Sequence, residues 1–217
     1  KIPALARGLV ACGWFGINTW VGGSAIYVIL NSVSGDAFVG QALPFLGIDI
    51  TQTLCFFAFW AMHLVFIKHG TESIRWLETF AAPFLILMGL ALLGWAYVNA
   101  GGFGEMLSTP SQFVEGGAKE GQFWTAFFAG LTSMVGFWAT MALNIPDFTR
   151  FAKSQKDQML GQAIGLPLPM ALFAFIGVAV TSATVTIYGE AIWDPVALAG
   201  RMGGMGVVLA LAALALA

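Results

Sequence analysis

The chain has 217 residues, of which nine are basic and eleven acidic, while 59% are apolar. Charged residues make up only 9%, against about 25% in an ordinary soluble domain, so a soluble globular domain is excluded, and the mean hydropathy of +0.84 excludes disorder. A net charge of -2 offers a nucleic-acid partner no basic surface.

Charge-free stretches cover residues 8–35, 50–67, 79–104, 121–146, 158–189 and 202–217. A helix crossing the hydrocarbon core of a bilayer, about 30 Å thick, needs about 20 apolar residues. The chain therefore reads as one all-α transmembrane domain. Its approximate spans are residues 4–31, 50–68, 76–99, 122–146, 159–187 and 202–217, the last truncated. It ends on the apolar run VVLALAALALA, with no polar cap for the helix-end carbonyls, and begins on Lys1. Both ends read as those of an internal fragment of a longer transporter-like chain.

With the amino end cytoplasmic, Lys1, Arg7, Lys68, Arg75, Arg150, Lys153 and Lys156 fall inside, and only Lys119 and Arg201 fall outside. The positive-inside rule selects this orientation. Trp76, Trp95, Trp124 and Trp193 stand near span ends, where an aromatic belt belongs. Residues 36–47 read as an outer connection with a short interfacial helix, and residues 99–120 as a Gly- and Ser-rich surface loop.

Two segments depart from the pattern of a simple packing bundle. In the first span, GWFGINTW places Trp14 and Asn18 four apart, on one helix face. A side-chain amide in hydrocarbon needs a partner, so Asn18 faces the bundle or a cavity. Spacing leaves two readings open: a ligand contact, or a bond to a neighbouring helix with Trp14 as bulk. In the fourth span, LTSMVGFWAT groups Thr132, Ser133, Gly136, Phe137 and Trp138 at mid-depth. That is where broken helices of secondary transporters expose backbone donors and acceptors. Pro146 marks the inner end of that helix.

Other features carry blander readings. His63 and His69 read as interfacial histidines, since no intramembrane carboxylate stands near to form a relay. Gly161 and Gly165 form a GxxxG that reads as close helix packing. Cys12 and Cys55 lack metal-ligand or CxxC spacing and read as small core residues. The spans hold no paired carboxylates, HExxH or serine dyad, which argues against an enzyme. A channel would want a continuous polar lining, whereas here the polar groups collect at one depth.

Two indoles and an amide form a cage suited to a flat, polar, uncharged heterocycle. Stacking contributes about 1–3 kcal/mol per base, and an amide can pair with a lactam edge. The strings ALARGLVACGWFGINTWVGGSAIY, GFWATMALNIPDFTRFAKSQKDQ and GQAIGLPL resemble the nucleobase–cation symporter-1 family of bacterial hydantoin, allantoin and uracil permeases. The resemblance covers nearly the whole chain. It implies a twelve-helix transporter with two five-helix inverted repeats of the LeuT-like type, of which this chain holds about the third to the eighth helix. It further implies cation-coupled symport by alternating access in the bacterial inner membrane, with a lipid bilayer and a small heterocycle as partners and a monomer as the working unit once full length. A LeuT-like carrier of another solute, such as an amino acid, is the alternative.

By the same resemblance, Trp14 and Trp138 stack on the two faces of the substrate. Asn18 stands where the family commonly has Gln, and Gly136 and Phe137 offer backbone at a break in the sixth helix. No cofactor is implied beyond a coupling Na⁺ or H⁺. Its site lies between the first and eighth helices, so no metal ligand is assigned here.

Overall fold

The computed structural model describes residues 2–108, 110–204, 206–208 and 211; the side chains of Pro3, Thr71, Ile74, Glu105, residues 137–144, Asp147 and Phe148 stand outside that description. Most of the expected final span, 202–217, also falls outside it. Among the described residues, eight helices follow in chain order: α1 (Ile2–Ser34), α2 (Ile50–His69), α3 (Thr71–Asn99), α4 (Phe103–Leu107), α5 (Phe123–Thr149), α6 (Gln155–Gly165), α7 (Pro167–Tyr188) and α8 (Pro195–Arg201). Among the described residues, four stretches are long and apolar enough to cross a membrane: Ala4–Ser34, Ile50–His69, Arg75–Asn99 and Gln155–Tyr188. The described half of α5, Phe123–Gly136, is apolar but shorter.

Local chemistry sets the helix ends. Asp49 caps α2 by accepting a hydrogen bond from the Gln52 N–H at 2.6 Å, the first half of a capping box. Gly70, at φ +76°, closes α2, and its N–H reaches the carbonyls of Phe66 and Ile67. Lys68 and His69 stand in that last turn, where the helix dipole favours positive charge. Ser154 caps α6, Asp194 caps α8, and Gly189, in the left-handed region, ends α7.

α1 and α2 pack antiparallel, in the order Phe15–His63, Gly22–Phe59, Gly23–Phe56 and Tyr27–Asp49. The seam is close because of two glycines. A Cβ on Gly23 would lie 2.7 Å from the Phe56 Cα, and one on Gly22 would lie 2.2 Å from the Phe59 ring. α3 and α7 approach in the same way where Gly89 faces Phe173 and Ile176. The core gathers small side chains from four helices: Ala25, Ala96, Ala179, Ala183 and Ala199, with Met106 of α4 fully enclosed. Small residues allow backbones to meet where no hydrophobic force separates protein from lipid.

Several expectations change. Residues 36–47 hold turns rather than a helix; Gly35, Asp36 and Gly47 have positive φ, which interrupts any helical run. The 99–120 loop contains α4, drawn onto α7 by Met106. The 158–189 stretch splits at Leu166, where Pro167 supplies no N–H to continue the α6 ladder. Gly161 and Gly165 are exposed, with nothing within 4 Å of a Cβ on either, so the GxxxG packs against no described residue. Cys55 is buried but Cys12 is exposed; both are free thiols.

Candidate functional site

Trp14 and Asn18 stand one turn apart on α1, on a face flanking the seam with α2. The seam itself is made by Phe15, Thr19, Gly22 and Gly23. Thr19 is buried, and its hydroxyl donates back to the Phe15 carbonyl at 2.6 Å, so it needs no partner on α2. Trp14 is half-buried, whereas Asn18 is exposed and has no side-chain hydrogen bond among the described residues. The helix-to-helix bond that spacing allowed for Asn18 is therefore not made there. Its flanks are open: a Cβ on Gly13 or Gly16 would meet nothing within 4 Å.

α5 carries the other half of the expected site and touches α1. Gly136 is exposed and lies in regular helix. α5 runs unbroken from Phe123 to Thr149, so the expected unwinding around residues 131–140 is not seen. The hydroxyls of Thr132 and Ser133 return to the carbonyls of Phe128 and Ala129 at 2.8 and 3.1 Å. One glycine costs a helix only about 1 kcal/mol relative to alanine, too little to break it. Pro146 lies three residues before the end of the helix, near its last turn. The side chains of Phe137 and Trp138 lie outside the described residues.

The α1–α2 seam also holds polar groups that sequence reasoning missed. His63 packs into the seam: its ring sits between Phe15 and Phe59, at centroid distances of 5.3 and 4.4 Å, with a buried Nδ1 that has no partner among the described residues. At the far end, Asp49 is 6% exposed and accepts from the Tyr27 hydroxyl at 2.6 Å and the Gly40 N–H at 3.1 Å, besides capping α2. Asn31, also 6% exposed, lies one turn from Tyr27 on the same face of α1. A capping pattern at Asp49 was visible in the sequence as D-x-x-Q, but nothing local pointed to Tyr27, 22 residues earlier.

Burial pushes the Asp49 carboxyl up, yet the bonds from Tyr27 and from the N–H groups of Gln52, Gly40 and Thr51 outweigh it and hold the carboxyl below its ordinary value. A carboxylate held low stabilises the fold above its unfolded pKa of 3.8 and loses that contribution as pH falls through its folded pKa. Thermal unfolding in detergent should be insensitive to Asp49 titration from pH 7 to 5 and weaken below about pH 4. Asp49→Asn should remove that acid-side component.

Among the described residues, four helices long and apolar enough to cross a bilayer define a multi-pass membrane protein. A family model described as a permease for cytosine/purines, uracil, thiamine and allantoin matches residues 1–217, and the chain belongs to that family. It is 49% identical over 208 residues to a purine-uracil permease of Arabidopsis thaliana, covering 96% of this chain and 34% of the relative. It is 42% identical over 210 residues to an allantoin permease of Bacillus subtilis, covering 96% of this chain and 42% of the relative. A hydantoin permease of Microbacterium maritypicum is 27% identical over 227 residues, covering 97% of this chain and 40% of the relative. The chain thus spans between a third and a half of the length of these relatives. No solved structure matches it.

Proposed function

We propose that this chain forms the central part of a symporter that carries a nucleobase or related cyclic ureide by alternating access, driven by Na⁺ or H⁺. The observation that carries the reading is the Trp14–Asn18 face: a half-buried indole one turn from an exposed amide with no side-chain hydrogen bond among the described residues. An indole stacks on a planar ring, and an amide donates to a lactam C=O and accepts from its N–H. A charged substrate would meet no countercharge within the charge-free spans.

In this reading the chain supplies about the third to the eighth helix of a twelve-helix LeuT-like carrier. The amino end of α1 is cytoplasmic, and the membrane is the bacterial inner membrane. Trp138, with Gly136 and Phe137, covers the second face of the ring, and the permease works as a monomer. The coupling cation binds outside this chain, and rocking of one helix bundle against the other exposes the substrate to each side in turn. Substrate and cation favour the same state, so each raises the affinity for the other.

Uptake by the native permease tests this directly. Uracil, allantoin or hydantoin should compete, leucine should not, and removing the driving gradient should lower uptake. Competition by leucine instead would replace the reading with an amino-acid carrier. Asn18→Leu should cost about 1–3 kcal/mol of substrate binding, the effect of leaving a buried ligand edge unpaired. Unchanged uptake in that variant would remove Asn18 from the site.

A further inference from the structure

The polar end of the α1–α2 seam has no counterpart in the substrate face, yet it is built from buried groups. Asp49 presents both carboxylate oxygens to donors: Oδ1 to the Gln52 N–H, and Oδ2 to the Tyr27 hydroxyl and the Gly40 N–H. It ties three things at once: the start of α2, the connection at Gly40, and the side of α1. α1 is a single helix from Ile2 to Ser34, so Tyr27 and Trp14 lie on one rod, about 20 Å apart at 1.5 Å per residue. Elsewhere the seam is packing contact, with Gly22 and Gly23 against Phe59 and Phe56 and the His63 ring between Phe15 and Phe59. A directional hydrogen bond adds its own constraint on register.

We propose that Asp49, acting through Tyr27, is a positioning pair that sets the depth of Trp14 and Asn18 by fixing the register of α1 on α2. Asn31, buried one turn further along α1, shares a helix face with Tyr27. The inference rests on the Trp14–Asn18 reading above.

The test measures uracil and allantoin uptake by the native permease, with KM and maximal rate taken separately and the amount of folded protein in the membrane measured alongside. Tyr27→Phe removes one hydroxyl and keeps the ring. Asp49→Asn keeps an oxygen for the Gln52 cap but turns an NH₂ group toward the Gly40 N–H. Each variant should raise KM about three- to tenfold, the loss expected for one ordinary net hydrogen bond, with folded protein at the wild-type amount. The double variant should add little to either single one, because both break the same tie.

Wild-type KM in both single variants would overturn the proposal and leave Asp49 as a helix cap. Loss of folded Tyr27→Phe protein would overturn it as well, by making the bond a folding element. If the unaltered permease carries neither compound, the substrate reading fails instead, and that outcome is distinct from a failure of the positioning pair.

Discussion

Trp14→Ala should weaken substrate binding by about 5- to 150-fold, which corresponds to the 1–3 kcal/mol that stacking on an aromatic face contributes. Trp14 is half-buried and stands beside the α1–α2 seam rather than inside it. The groups that hold the seam, Thr19, Gly22, Gly23 and Phe59, are buried and stay in place in the variant. Binding should therefore fall much more than stability. Equilibrium binding to the purified permease, with a thermal melt of the same sample, separates the two effects. Wild-type affinity in a well-folded variant would remove the indole from the site.

The second large effect is on folding. A side chain at Gly23 meets the backbone of Phe56 at 2.7 Å, and backbone cannot swing aside as a flexible side chain does. Gly23→Val must push α1 and α2 apart, and overpacking of this kind costs about 1–3 kcal/mol, with larger losses where the backbone must move. The variant should melt earlier in detergent and reach the membrane in smaller amount. Gly94→Ala is the control, because a Cβ there meets nothing within 4 Å. Equal melting of the two variants would mean that the seam is not the close approach described above.

Charge-free stretches coincide with four helices long and apolar enough to cross a membrane, because the bilayer imposes its cost on every charged residue alike, whatever the tertiary contacts. Counting charges did not see the break at Leu166, although Pro167 announced it in a different signal, a missing backbone N–H. A short helix expected between α1 and α2 gave way to turns at Gly35, Asp36 and Gly47, whose positive φ values arise in tertiary context.

The legible part of the site was local: Trp14 and Asn18 share a face because they lie four apart on one helix. What the sequence hid was partnership across the seam. Neither the Phe15 and Phe59 rings that enclose His63 nor the Tyr27–Asp49 bond leaves a periodic trace in the chain. The Gly22–Gly23 pair was visible, but only packing shows that α2 backbone lies opposite.

A structure of the native permease with uracil or allantoin bound tests the central claim most directly. The heterocycle should lie stacked on the Trp14 indole, with ring centroids about 4.5–7 Å apart, and its lactam edge should lie about 2.9 Å from the Asn18 amide. A ligand bound elsewhere, or an Asn18 side chain turned to the acyl chains in the bound state, would contradict the account.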